Sequence, residues 1–258
     1  MNDRIALVGA GNMATAIAYS LKESDNAPVA VWSRTLESAA LLGGRVGCAF
    51  TNDLDELPVA DIFIISIADN ALHDVAREIA QRFPDALVLH TAGSIPMDTL
   101  REAGATRYGV LYPMQTVNRN SPASLRNITT FIEGCNDTVT AHIEKVATLL
   151  SDKVVYATSE QRCSLHVAAV FACNFPNAVY NMAYELMLRN GLPFDAMLPL
   201  IDEAARKVHF MSPFEAQTGP ARRGDENVMN AHKSMLDDEL ASIYEMLSNY
   251  IMKRNRQL

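Results

Sequence analysis

The pattern of apolar and polar positions divides this chain in two. Over the first 156 residues, short apolar runs alternate with stretches of helical periodicity. Ile5, Ala6, Leu7 and Val8 form an apolar run that meets closely spaced glycines, and Ala14, Ile17, Ala18 and Leu21 then recur on one helical face. That reads as strand, tight turn, helix. A second strand is expected over 29–32, a helix over 36–42 stopped by Gly43 and Gly44, and a short strand over 48–50. The run 61–67 is apolar on both faces of any strand it makes, as a buried, parallel, central strand should be. Further strands are expected over 87–90, 108–111, 130–133 and 153–155, with helices over 71–82, 99–103 and 139–150. This alternation predicts a parallel, doubly wound sheet with helices on both faces.

The alternation stops near Tyr156. From Ser164 onward only helical periodicity remains, broken at 191–193, 212–213 and 218–225. The expected organisation is α/β: a Rossmann dinucleotide-binding domain over 1–156, then an all-helical domain over 157–258 for substrate and dimerisation. Alanine- and methionine-rich helices over 168–188 and 235–252 belong to a domain with limited core of its own. They are expected to pack on a second copy, as a homodimer.

The first turn carries candidate chemistry. In Gly9-Ala10-Gly11-Asn12-Met13-Ala14, Gly9 permits the sharp turn and Gly11 lets backbone amides approach a pyrophosphate. Small Ala14 sits where the dinucleotide fingerprint wants close packing of helix on strand. The anion would rest on the helix N-terminus, opened by Asn12 and Met13, where unpaired amides and the macrodipole favour negative charge. The second strand ends in Ser33-Arg34-Thr35. An NAD site wants an acidic residue there for the ribose hydroxyls, whereas an arginine flanked by hydroxyls suits a 2′-phosphate, so NADP is expected over NAD.

In an open parallel sheet the ligand lies across the carboxyl ends of the strands. The residues there are Ser66 to Asn70, including Ala68 and Asp69; His90 to Ser94, including Thr91 and Ala92; and Tyr112 to Thr116, including Gln115. Together they supply the small residues and hydroxyls of a cofactor wall, with Gln115 toward the substrate.

The helix over 164–188 holds a further signal. Taking His166 as zero at about 100° per residue, Asn177 falls near 20°, Asn181 near 60° and Asn174 near 80°. Such a polar stripe faces either water or a polar cavity, and asparagine is a poor surface helix former. Pro176 should kink the helix and free the Ala172 carbonyl. The unperturbed pKa of histidine as a residue type lies near neutrality, so His166 is either a proton donor or structural. Asn174 either polarises a carbonyl or imine or makes an interhelical hydrogen bond, and Asn177 lies beside it as a substrate contact. Arg222 and Arg223, in the glycine-bounded stretch 217–225, are either a carboxylate or phosphate anchor or a solvated connector. Asp225 is expected to cap the helix that follows.

Composition narrows the class of partner. An apolar fraction of 49% can furnish real cores, and a net charge of −8 argues against nucleic acid or an anionic membrane as the main partner. No signal peptide or bilayer-length apolar run is found, so a cytoplasmic protein is expected. Cys48, Cys135, Cys163 and Cys173 form no C-x-x-C pair and lie in apolar contexts, which predicts buried free thiols and no metal site.

With these residues in view, the chain resembles a bacterial family that joins a Rossmann-like NADP-binding domain to a C-terminal helical domain of unknown function. The matching pieces are Gly9 to Ala14, His90 to Ser94, Tyr112 to Thr116, His166 to Asn174, Thr218-Gly219-Pro220 and Arg223-Gly224-Asp225. At superfamily level it looks like pyrroline-5-carboxylate reductase, ketopantoate reductase and the β-hydroxyacid dehydrogenases. The resemblance implies a C-terminal domain of the 6-phosphogluconate-dehydrogenase-like type, a dimer with intertwined helical domains, and a site in the cleft between domains. β-Hydroxyacid dehydrogenases carry a lysine one turn before an asparagine; four before Asn174 stands Val170. His166 is then the candidate on that face. The serine-glycine-proline loop of pyrroline-5-carboxylate reductase is missing too.

The function expected is an NADP(H)-dependent oxidoreductase reducing a C=O or C=N of a small carboxylate-bearing metabolite. His166 donates the proton, Asn174 orients the reacting group and Arg222 or Arg223 secures the anion. The alternative is a non-catalytic NADP-binding sensor or partner protein on a reductase scaffold.

Overall fold

A computed structural model describes residues 3–118 and 124–255. Its compact units divide between Cys173 and Asn174, later than the expected division after 156.

The first unit is built on a sheet of eight strands: β1 (Ile5–Val8), β2 (Ala30–Trp32), β3 (Ala49–Thr51), β4 (Ile62–Ile65), β5 (Leu87–His90), β6 (Arg107–Pro113), β7 (Thr129–Gly134) and β8 (Lys153–Tyr156), in the order β3-β2-β1-β4-β5-β6-β7-β8. The central strands β1 and β4 are buried at every position. Alternate residues serve opposite faces, as a pleat dictates. Leu7 and Ile64 join Ile17, Leu42 and Ile143 on one side, while Val8 and Phe63 join Leu72, Ile79 and Leu100 on the other. The helices on the first side are α1 (Asn12–Glu23), α2 (Leu36–Val46) and α5 (Asp137–Leu150); on the second they are α3 (Leu72–Arg82) and α4 (Asp98–Glu102).

Two details differ from expectation. Strands β1 to β6 run parallel, but β6 pairs antiparallel with β7, and β8 is parallel to β7, so the last two strands are reversed. Hydrophobic patterning marks a strand without marking its direction, so this reversal has no signal in sequence. Helix α2 also runs through Gly43 and Gly44 and stops at Gly47, whose φ of 81° gives a left-handed cap. Gly43 is needed for packing, because a Cβ there would come within 2.9 Å of the Phe50 Cβ.

After β8, helix α6 (Ser159–Ala169) begins at a capping box, in which Thr158 and Gln161 exchange side-chain and backbone bonds. It passes into a π-helical turn (Val170–Asn174) and then α7 (Phe175–Arg189). The expected single helix is thus three segments. Pro176 falls in the first turn of α7, where its missing N–H costs little. A turn of i→i+5 bonding takes up an additional residue. Angles counted at a uniform 100° therefore do not carry from His166 to Asn174, Asn177 and Asn181.

The second unit comprises α7, α8 (Leu198–Lys207), α9 (Pro213–Ala216), α10 (Pro220–Arg223), α11 (Glu226–Lys233) and α12 (Asp238–Asn255). Arg189 pairs with Asp237 at 2.9 Å, and His232 Nδ1 lies 3.0 Å from the Tyr244 hydroxyl. Apolar burial is sparse in this unit: Ala221 and Met229 are buried, while Leu200, Phe210 and Met246 are each more than 60% exposed. Among the described residues, no helix is long and apolar enough to cross a membrane.

Candidate cofactor cleft and proton relay

The turn after β1 is shaped as the glycine spacing requires. Gly9 has φ of 125°, and a Cβ on it would overlap the Ser66 carbonyl oxygen, so an L side chain is excluded twice over. Gly11 is the N-cap of α1 and has nothing within 4 Å of the position a Cβ would take. No side chain caps that helix. An anion can approach that helix N-terminus, with its favourable dipole, through the open space above Gly11. Ala14 is fully buried against the sheet.

A cleft of about 610 Å³ starts at this turn. Gly9, Gly11, Asn12 and Met13 form one end, and Ser33, Arg34 and Thr35 lie beside them; Ala68, Asp69, Thr91 and Ala92 form the opposite wall. The cofactor-lining residues expected from sequence therefore share one cleft, apart from Ala14, which supports it from beneath. Ser38 and Trp32 line it too; neither was expected from sequence, though Ser38 sits one turn into the helix that Arg34 precedes. Thr35 is the N-cap of α2 and makes no cap bond; its hydroxyl donates to Ser38 Oγ at 2.9 Å. A second helix N-terminus thus opens beside Arg34, with two hydroxyls and a guanidinium. This donor set suits a phosphate on the adenosine ribose. The opposite wall is stitched together: Thr91 donates to Ser66 at 3.0 Å, and Ser94 to Asp69 Oδ2 at 2.9 Å. Open space over Gly11, two uncapped helix ends and Arg34 fit a dinucleotide with a 2′-phosphate.

His166 is half-buried on α6, its ring against Gly93: a Cβ on Gly93 would come within 2.6 Å of Nδ1. Its Nδ1 lies 3.2 Å from the hydroxyl of Tyr112, at the end of β6. Tyr112 is buried, and desolvation raises its pKa, with the charge of Arg162 opposing. A neutral Tyr112 can donate to Nδ1 of the neutral ring or accept from Nδ1–H of an imidazolium, and in both cases Nε2 is left to face other groups. Tyr112 is expected from sequence in the cofactor wall; its contact with a residue 54 positions away has no local signal.

Arg162 was also missed. It is 1% exposed and pairs with Glu133 at 2.6 Å. A lone arginine near a helix start ordinarily reads as surface. His90, at the end of β5, is fully buried, and its Nδ1 accepts from the Ala92 amide at 3.2 Å. Burial, aided by Arg162, pushes its pKa down to about 3.

The expected substrate residues are less concentrated. Gln115 is exposed, and its side-chain oxygen accepts from the amide of Thr116. Asn174 and Asn177 belong to the second unit and are exposed, as is Asn181, which donates to Glu185 at 2.8 Å. Of the expected stripe, the three asparagines are thus exposed in the single chain, while His166 is half-buried. Arg222 and Arg223 form one helical turn rather than a loop, closed by Gly224 with φ of 69°. Arg222 stacks on Phe214 with 4.7 Å from guanidinium carbon to ring centroid, while Arg223 is exposed. Asp225 caps α11 by accepting from Val228. The expectation of buried thiols fails at Cys163, which is exposed; the other three cysteines are half-buried. No group of His, Cys, Asp or Glu able to hold a metal was found among the described residues.

Comparisons with known proteins agree with this layout. Residues 4–93 match the family described as NADP oxidoreductase, coenzyme F420-dependent, and residues 128–251 match a domain of unknown function, DUF2520. A candidate NADP oxidoreductase from Bacteroides fragilis is 45% identical, over 97% of this chain and 98% of its own, with a TM-score of 0.93. A reductive aminase from Aspergillus terreus, solved with NADPH and ethyl-5-oxohexanoate, is 20% identical over 99% and 95%, with a TM-score of 0.67. A pyrroline-5-carboxylate reductase from Coxiella burnetii is 16% identical over 100% and 98%, with a TM-score of 0.62. No curated protein matches the chain.

Proposed function

From a chain that belongs to the NADP oxidoreductase family carrying this C-terminal domain, we propose a reductase acting on the C=O or C=N of a small, carboxylate-bearing metabolite, with His166 as proton donor. The observation that carries this reading is the Tyr112–His166 contact of 3.2 Å, beside the Gly93 that follows cleft residue Ala92. NADPH, when bound, supplies the hydride. Gly9, Gly11, Asn12 and Met13 would hold its pyrophosphate, and Ser33, Arg34 and Thr35 its 2′-phosphate. Ala68, Asp69, Thr91 and Ala92 would wall the ring end.

His166, as the imidazolium, then gives its Nε2 proton to the oxygen or nitrogen that gains negative character, while its Nδ1–H donates to the Tyr112 hydroxyl oxygen, so that the ring is left as the neutral Nδ1–H tautomer. Asn174, Asn177 and Gln115 would orient the substrate, and Arg222 or Arg223 would pair with its carboxylate. The residue four before Asn174 is Val170, so a lysine donor is lacking there and His166 takes its place. We propose further that the working form is a homodimer through the second unit.

The test is NADPH consumption against 2-keto acids, 3-keto acids, ketopantoate and cyclic imino acids, with NADH in parallel. Turnover of one member supports the reading and names the carbonyl or imine class. His166→Ala should then lower turnover by roughly 10²- to 10⁴-fold, with NADPH binding retained. Equal loss of both, or no loss, removes His166 from the chemistry.

A further inference from the structure

Arg162 is among the largest fully buried side chains in the protein, and the catalytic reading leaves it without a task. Its guanidinium joins three segments that are distant in sequence. Nη1 donates to Glu133 Oε2 of β7 at 2.6 Å, Nε to the Ala92 carbonyl at 3.3 Å, and Nη2 to the Ile95 carbonyl at 2.5 Å. Ser159, at the start of α6, closes the network: its amide and hydroxyl donate to Glu133 at 2.9 and 2.7 Å, and its hydroxyl accepts from the Met97 amide at 2.9 Å. The loop over 91–97 is thus fixed to α6 by one planar fork. That same loop supplies Thr91 and Ala92 to the cofactor cleft and Gly93 to the ring of His166. His166 stands four residues after Arg162, one turn along the same helical face.

A buried ion pair contributes little net stability, because desolvation offsets the attraction, and apolar pairs of similar volume often serve as well. What an apolar pair cannot do is bond two carbonyls and a carboxylate in fixed directions. We propose that Arg162 is a positioning residue, which sets the distance between the cofactor wall and the imidazole of His166 by clamping the 91–97 loop to α6. This inference rests on the reading of His166 as proton donor.

The test reads the ring nitrogens of His166 by long-range ¹H–¹⁵N NMR, its signals among the six histidines assigned by their loss in His166→Ala. Arg162→Lys keeps the charge against Glu133 but loses the fork, so the fold persists. Arg162→Met with Glu133→Leu removes both charges together. Both should fold as the parent does by near-ultraviolet dichroism. Both should also move the His166 ¹⁵N signals toward those of Tyr112→Phe, as the bond to Tyr112 loosens and the tautomers average. Arg162→Lys with His166 signals unchanged from the parent overturns the inference. The proton-donor reading fails separately, by undiminished turnover in His166→Ala.

Discussion

Arg34 is the residue on which cofactor choice turns. Its guanidinium stands exposed at the mouth of the cleft, next to Thr35 and Ser38 and the uncapped start of α2. A hydrogen bond to a charged group is worth about 1.5–3 kcal/mol net, so Arg34→Ala should weaken NADPH binding by roughly 10- to 100-fold and leave NADH binding where it was. The protein has a single tryptophan, Trp32, which lines the same cleft, so quenching of its emission by NADPH measures the constant directly. A parallel loss for both cofactors would take the 2′-phosphate away from Arg34.

His90 makes a prediction of the opposite kind, about stability alone. Its folded pKa is depressed to about 3, by burial first and by Arg162 second. The unfolded chain therefore takes up a proton near pH 6.5 that the folded chain refuses until about pH 3. Above the unfolded value the group is neutral in both states and contributes nothing to the pH dependence. Between the two values the unfolded state binds more protons, so stability falls with acidification, by up to about 1.4 kcal/mol per pH unit. Urea unfolding at pH 7, 6, 5 and 4 should show this slope, and His90→Gln should flatten it; an equal slope in the variant would mean that other groups carry it.

At the level of elements, α6 has to be held at its start for His166 to stand where it does. Thr158 accepts from the Gln161 amide at 3.2 Å, while Gln161 returns a bond to the Thr158 amide at 3.0 Å. Thr158→Ala should cost about 1 kcal/mol and lower the melting midpoint by about 2–4 °C, as calorimetry would show; no change would mean that Arg162 and Glu133 alone fix this end. Elements differ in how much of them sequence discloses. Strands β1 and β4, being buried on both faces, announce themselves as unbroken apolar runs, and the turn between β1 and α1 is written in Gly9 and Gly11. The cofactor cleft follows from those two elements and one rule about strand ends. Direction is not written in a strand, so the reversal of β7 and β8 was invisible. The π turn was equally so, since Pro176 signals a disturbance without fixing its register. The pairing of Tyr112 with His166 and the burial of Arg162 escaped because each depends on partners distant in sequence: an arginine four residues into a helix looks solvated until Glu133 and the Ala92 and Ile95 carbonyls are seen around it.

For the whole molecule, the strongest constraint is the imbalance of burial between the two units. In the first, the sheet and its helices bury two extensive apolar clusters, one on each face. In the second, α7 exposes Phe175, Val179, Tyr184 and Leu188, and α12 exposes Met246, Leu247 and Tyr250. On α12 these three lie at spacings of one, three and four residues, which is one stripe of a helix. The homodimer proposed above rests on this stripe of α12, because helices with so little core of their own gain stability by burying apolar surface against a second copy. Light scattering should therefore give twice the chain mass of 28.3 kDa. Glutamate at both Met246 and Tyr250 would place charge in the buried centre of that interface, where unpaired charge is costly, and should shift the protein toward monomer with a lowered melting midpoint. A native protein that scatters as a monomer would defeat the proposal, and a double variant that remains dimeric would move the interface off α12.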